Sequence, residues 1–154
     1  MAGQRTRWLA VALGFAATVV AAHAATAPAD PCTLLSAAEV SRGLSGSYAP
    51  PEESVAPAPF AHTAQGKDCH YRSMAGELLF RIYFDPSAGD ATSLFAQLKM
   101  FYGPPKAVPG VGDEAYFDSR HGLHVRKGNV RFFLQGSGSD ERLTDLAHTV
   151  AGKL

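Results

Sequence analysis

The sequence is poor in charged residues, and the charge it carries is balanced. Aspartate, glutamate, lysine and arginine make up 18% of the 154 residues, with 14 basic and 14 acidic side chains. Soluble globular domains carry about 25% on average. Because there is no excess of positive charge to contact phosphate groups, the composition argues against nucleic acid and anionic lipid as partners.

The N-terminus lacks a hydrophobic run long enough to cross a membrane. The apolar stretch from Trp8 to Ala22 falls short of the ~20 residues that a membrane-spanning helix needs. Arg5 and Arg7 precede this stretch and the triplet AHA ends it, which is typical of a secretory signal peptide. We therefore predict a signal peptide at residues 1–24 and an exported chain, periplasmic or secreted, without stable membrane insertion.

The segment that remains after cleavage, residues 25–154, is long enough for one domain and one hydrophobic core. Removing the two arginines of the signal peptide leaves 12 basic against 14 acidic side chains, so the mature chain is weakly acidic. We predict a single exported α+β domain over this range.

Cysteine is nearly absent, since the chain has only Cys32 and Cys69. A metal ligand or reactive thiol would favour a CxxC-like spacing or a basic neighbour, and neither cysteine has that spacing. In an exported chain an even pair of cysteines is oxidised by default, so we predict a disulfide. On the chain-entropy model it would stabilise the fold by about 4 kcal/mol.

Catalytic motifs are also scarce. No serine stands in a G-x-S-x-G elbow, which argues against a serine hydrolase of that class. His121 and His124 have an H-x-x-H spacing, but they lie in a predicted turn and strand without a helix to align them. We predict no cofactor and no metal site, and a non-catalytic role. The alternative is a small periplasmic hydrolase or weak metal-binding protein that uses His70 or His124.

Helix and strand signals divide the chain clearly. Ser36 and Glu39 have the spacing of a capping box, which predicts a helix that ends near Gly43 or Gly46. The residues 47–67 are rich in proline and predict a long loop, with a possible short strand around residues 55–60. A second helix is predicted with Asp90 as its N-cap and Gly103 just beyond its end.

Strands are predicted by alternation of apolar and polar residues from Asp68 onwards. The pair Gly128-Asn129 is typical of a two-residue hairpin turn, and an apolar stripe predicts a C-terminal helix. The expected fold is α+β, with a single antiparallel sheet of five to six strands packed by three helices. Its expected order is α-β-β-α-β-β-β-α.

The stretch VPGVGDEAYF places two glycines beside two acids, and we interpret it as the start of a β-hairpin. Asp113 and Glu114 are consecutive, so in a strand their side chains point to opposite faces and cannot act as an acid and base pair. The predicted register sets Arg126 opposite Arg131 and Glu114 opposite Arg126. We therefore predict Glu114 as the counter-ion of the two arginines.

The predicted strands place arginines and aromatic residues on the outer sheet face, where binding of an unknown protein or a small anionic ligand would be favoured. His70 joins this face, and the residues predicted to form the binding surface are Arg72, Arg81, Tyr83, Tyr116, His124, Arg126, Arg131 and Phe133.

The segments PCTLLSAAEV, DCHY and PGVGDEAYF together resemble a class of small secreted bacterial domains of unknown function, familiar from actinobacterial lipoproteins. The resemblance extends from Cys32 to the last helix. It implies an exported α+β domain, of the kind seen in the PsbP-like fold, with no established catalytic residues. This chain departs from the pattern because it lacks a lipidated cysteine.

Overall fold

The computed structural model describes residues 26–28, 30–58 and 65–154. A short 3-10 turn at Pro31–Leu34 precedes three helices, which are α1 (Ala37–Leu44), α2 (Ala88–Phe101) and α3 (Asp140–Ala151). The strands are β1 (Glu52–Ala56), β2 (Gly66–Ser73), β3 (Gly76–Phe84), β4 (Lys106–Ala107), β5 (Glu114–Phe117), β6 (Leu123–Lys127) and β7 (Val130–Gly136). The predicted signal peptide lies outside the described residues.

The seven strands form one antiparallel sheet in the order β1-β2-β3-β7-β6-β5-β4. The predicted α+β class with three helices and one antiparallel sheet is confirmed. The count of five to six strands and the element order are wrong, because each edge of the sheet carries a short strand that the expected order left out. β1 lies inside the predicted loop 47–67, at residues 52–56 instead of the suggested 55–60.

Local sequence signals explain most helix ends. Ser36 caps α1 through the expected reciprocal bonds with Glu39, and Gly103 follows α2 with a left-handed φ of 87°. The predicted N-cap Asp90 is wrong. Ser87 caps α2 instead, and its hydroxyl accepts from the Asp90 backbone N–H and donates to the Asp90 carboxylate.

The main core lies on one face of the sheet, beneath α1 and α3. Val40 and Leu44 of α1 pack there with Leu143 and Leu146 of α3 against the apolar face of the strands. The Cys32–Cys69 disulfide also lies in this core, which confirms the predicted pair and ties the 3-10 turn to β2.

Helix α2 packs on the opposite face of the sheet. Its Phe95 and Leu98 are buried, and the Phe95 ring contacts the Tyr116 ring of β5 edge to face at 5.1 Å. The fold therefore has three layers in this region, with α1 and α3 on one side and α2 on the other. In the described part of the chain, no helix is both long and apolar enough to cross a membrane.

The glycine-rich stretch before β5 is a turn, as predicted. Gly112 adopts a φ of 59°, and a Cβ at this position would lie 2.5 Å from the carbonyl oxygen of Arg126. Only glycine can adopt this positive φ and also lie this close to the Arg126 carbonyl. The next residue, Asp113, donates its backbone N–H to the same carbonyl at 2.8 Å, which leads the chain into the β5–β6 hairpin.

Candidate functional site

The sheet register places all eight residues of the predicted binding surface on one face. Arg81 lies opposite Phe133, Tyr83 opposite Arg131, and His124 opposite Phe133, so these five residues form a contiguous group at the centre of the sheet. The hairpin registers Arg126 to Arg131 and Glu114 to Arg126 are as predicted.

The other three predicted residues flank this group. Tyr116 and Arg126 lie directly opposite His124 and Arg131, whereas Arg72 lies further away, opposite Glu77. Tyr116 is buried beneath α2, and Arg126 lies at the end of β6, where its Nη1 donates to Asp113 at 3.0 Å. Arg72 is exposed on β2 and pairs with Glu52 at 2.7 Å. The outer face is thus covered over β5 and β6. Over β3 and β7, Tyr83 and Arg131 are buried, whereas Leu79, Arg81, Phe133 and Gln135 are partly exposed.

A pocket of about 280 Å³ opens beside α2 on the accessible part of this face. The strands provide its floor and α2 its wall. Its lining residues are Leu79, Arg81, Tyr83, Phe95, Leu98, Tyr102, Asp118, Arg120, His124, Arg131, Phe132, Phe133 and Gln135. Volumes of roughly 300–1,000 Å³ are typical of small-molecule sites, so this pocket suits a ligand at the small end of that range.

Arg131 is one of the lining residues, and its buried guanidinium is only half paired. Its Nε and Nη2 donate to the two carboxylate oxygens of Asp85 at 2.5 and 2.9 Å, and the exposed fractions of the two side chains are 3% and 0%. Its Cζ lies 4.9 Å from the centre of the Tyr83 ring. The remaining nitrogen, Nη1, is buried without a hydrogen-bond partner among the described residues.

Arg81 repeats this arrangement on the neighbouring strand. Its Nε and Nη2 donate to the two oxygens of Asp68 at 2.6 and 2.7 Å, and this ion pair raises the pKa of Arg81. Asp68 lies directly opposite Arg81 in the β2–β3 register. Each arginine is therefore held by a carboxylate along one edge of its guanidinium, and no hydrogen bond within the described residues occupies the Nη1 of Arg81.

His124 lies at the junction of the pocket and α2. Its ring stacks on Tyr116 at 4.8 Å and contacts Phe133 at 4.6 Å, and its Nε2 lies 2.9 Å from the carboxylate of Asp118. Burial lowers the pKa of His124, with further lowering by the positive charge of Arg131, and the bond to Asp118 opposes this shift only in part. The imidazole is therefore neutral at pH 7.

Asp118 orients both the histidine and the β5–β6 loop. Burial disfavours its charged form, but bonds from His124 and from the backbone N–H groups of Gly122 and Arg120 outweigh burial and lower its pKa. The carboxylate therefore stays ionised and fixes the imidazole as a hydrogen-bond donor through Nε2.

Within the described ranges, His70, His121 and His124 do not come together as metal ligands. His121 lies at the exposed loop 3.4 Å from Asp140, away from the buried His124, and His70 lies 4.0 Å from Asp68. Among the described residues, the one group of three possible ligands close enough to share an ion is Asp30, Cys32 and Glu53, and Cys32 is committed to the disulfide.

The predicted role of Glu114 is wrong. Although Glu114 lies opposite Arg126, its carboxylate accepts from Lys99 of α2 at 2.6 Å. Asp113 pairs with Arg126, and Asp85 pairs with Arg131. The two opposed arginines are thus neutralised by two different carboxylates, neither of which is Glu114.

Sequence reasoning missed the acids that shape the pocket and the position of α2 over this face of the sheet. Asp68 could have been found, because it alternates with His70 and Arg72 on the outer face of β2. Asp85 directly follows β3 and precedes a proline, and this Asp-Pro pair indicates only a turn. Phe95, Leu98 and Tyr102 were predicted to lie in a helix, but nothing local indicates which face of the sheet that helix covers.

Comparison with protein-family models gives no match for this chain, and comparison with curated proteins gives none either. The resemblance to secreted actinobacterial domains therefore stays a prediction, and the site must be interpreted from its own geometry.

Proposed function

We propose that the chain is an exported, non-catalytic domain that binds a small organic ligand in the pocket between α2 and the centre of the sheet. The observation that carries this proposal is the buried Arg131 in the pocket lining, whose Nη1 lacks a partner among the described residues. A buried donor without an acceptor costs roughly 1–3 kcal/mol. A ligand acceptor would recover this cost, and aromatic side chains beside it would hold an apolar body.

A binding role fits the pocket better than the hydrolase alternative. His124 contacts one carboxylate and several aromatic rings, and no serine, threonine or cysteine side chain of the described residues hydrogen-bonds it. General-base catalysis requires the base to lie within hydrogen-bond reach of the proton that it removes. The contacts of His124 instead position it as a fixed hydrogen-bond donor and a packing surface.

Export is supported by the N-terminal signal pattern and by the disulfide, since disulfides form mainly in oxidising compartments. The purified protein is expected to begin at Ala25 and to fractionate with soluble material. Mass spectrometry of the N-terminal peptide tests this. An intact N-terminus at Met1 or Ala2 in the membrane fraction would contradict export in cleaved form.

The pocket is tested by a ligand-observed NMR screen of small aromatic and aliphatic fragments against the mature chain. Leu79 lines the pocket and is only partly buried, so Leu79→Trp fills the pocket without disturbing the main core. Val55→Trp introduces the same side chain at an exposed position of β1 and serves as the control.

A subset of fragments should bind the unmodified chain and Val55→Trp but not Leu79→Trp. The proposal would be overturned by a screen without binders, or by binders that Leu79→Trp leaves unaffected.

A further inference from the structure

We infer that the ligand is a monocarboxylate attached to a flat apolar group of one or two rings. This inference rests on the proposed function, because it assigns a ligand class to the same pocket. It depends on three features: the two arginines, the walls, and the balance of charge.

Two guanidinium groups on adjacent strands supply the donors for an oxyanion. Arg81 and Arg131 are diagonal neighbours, because Arg81 lies opposite Phe133 and Arg131 lies opposite Tyr83. In both arginines the Nε and Nη2 edge is held by a carboxylate, and Nη1 is free of hydrogen bonds within the described residues. The carboxylates fix the orientation of both groups in advance, which reduces the entropy lost on binding.

The walls of the pocket select the body of the ligand. Tyr83 and Phe133 lie on the floor, and Leu98 and Tyr102 come from α2 and its C-terminal end. Rings and branched aliphatic side chains of this kind bury flat apolar groups well. A free inorganic anion would leave these surfaces in contact with water.

The balance of charge favours one negative charge over two. Of the three arginines in the lining, Arg81 and Arg131 are already neutralised by Asp68 and Asp85. Arg120 at the rim is exposed and makes no ion pair within the described residues, while the ionised Asp118 lies in the same lining. A monoanion can use the charge-assisted donors, whereas a phosphate dianion meets too little uncompensated positive charge.

Matched probes test the ligand class by isothermal titration calorimetry on the mature chain at pH 8. The probes are 2-naphthoate, its neutral isostere 2-naphthamide, acetate and inorganic phosphate. Charge-assisted hydrogen bonds are about twice as strong as neutral ones. We therefore expect 2-naphthoate to bind at least about tenfold more tightly than 2-naphthamide, with acetate and phosphate weaker than both.

The double variant Asp68→Asn with Arg81→Gln removes one guanidinium without leaving a buried carboxylate unpaired. It should weaken 2-naphthoate about tenfold and leave 2-naphthamide nearly unchanged. Glu52→Gln with Arg72→Gln makes the same exchange in an exposed pair of the same sheet and should change neither affinity.

Equal affinities for 2-naphthamide and 2-naphthoate would overturn the inference that the ligand carries a carboxylate. The proposal that the pocket binds a small molecule would still stand. Failure of both naphthalene probes, or preference for phosphate, would overturn the ligand class as well. The fragment screen with Leu79→Trp decides separately whether the pocket binds any small molecule.

Discussion

Arg131 and Asp85 form a buried ion pair with two hydrogen bonds, in which neither side chain exposes more than 3% of its surface. Asp85 immediately follows β3, and Arg131 lies on β7, so the pair links the two strands at which the halves of the sheet join. The same arginine lines the pocket. On the proposed function, stability and ligand binding would therefore be coupled at this residue.

Breaking this pair should be costly. Asp85→Ala leaves the buried guanidinium of Arg131 unpaired, and we expect the free energy of unfolding in urea to fall by about 3–5 kcal/mol. Glu52→Ala removes the partner of Arg72 in an exposed pair, and it should change the free energy of unfolding by less than roughly 1 kcal/mol. Equal losses in the two variants would show that burial does not set the cost.

The disulfide should be present in the isolated protein and should stabilise it. Cys32 and Cys69 are both buried, with Cα atoms 5.7 Å apart. Intact mass spectrometry should find the oxidised form, without free thiols. Replacing both cysteines by alanine should lower the free energy of unfolding by about 2–5 kcal/mol. Free thiols in freshly isolated, folded protein would contradict the pair.

The corrected partners of Glu114 can be tested by double-mutant cycles. Glu114→Gln and Lys99→Gln should show a coupling of less than about 1 kcal/mol that shrinks as salt is added, since both side chains are partly exposed. Glu114→Gln and Arg126→Gln should show no coupling. A larger coupling in the second cycle would restore Glu114 as the counter-ion of Arg126.

Stability should fall between neutral and mildly acidic pH because of His124. Burial lowers the pKa of this histidine in the folded state below its ordinary value of 6.5. The unfolded chain therefore takes up the proton first, so stability is highest above pH 6.5 and decreases as pH falls toward the folded pKa.

The charged groups around this imidazole are Asp118, Arg131 and Arg81. Asp118 has a lowered pKa, so its own loss of stability lies below pH 3.8, outside this window. His124→Phe keeps an aromatic ring in the stack and should reduce the slope of unfolding free energy between pH 7 and pH 5. An unaltered slope in His124→Phe would contradict the lowered pKa of His124.

Local patterns in the sequence were sufficient to predict the β6–β7 hairpin near the centre of the sheet. The Gly128-Asn129 turn and strict alternation determine which face each residue of β6 and β7 occupies, so the cross-strand pairs of the hairpin follow from the sequence. The capping box at Ser36 and the lone cysteine pair are local or compositional signals of the same kind.

The remaining features depend on contacts between distant segments. β4 has two residues and β1 is almost wholly exposed, so neither carries an apolar alternation. Phe101 is apolar and lies within the second predicted helix, yet it is 74% exposed at the end of α2. Register alone placed Glu114 beside Arg126, but the longer reach of Lys99 from α2 determined its partner.

Chemical-shift mapping of the ¹⁵N-labelled mature chain with 2-naphthoate tests the central claim most directly. If the pocket is the binding site, saturable shifts should concentrate at Leu79, Arg81, Arg131 and Phe133, including the side-chain Nε–Hε signals of both arginines. Leu79→Trp should abolish these shifts and Val55→Trp should retain them. Saturable chemical-shift changes on α3 or β1, without changes in the pocket signals, would contradict binding in the pocket.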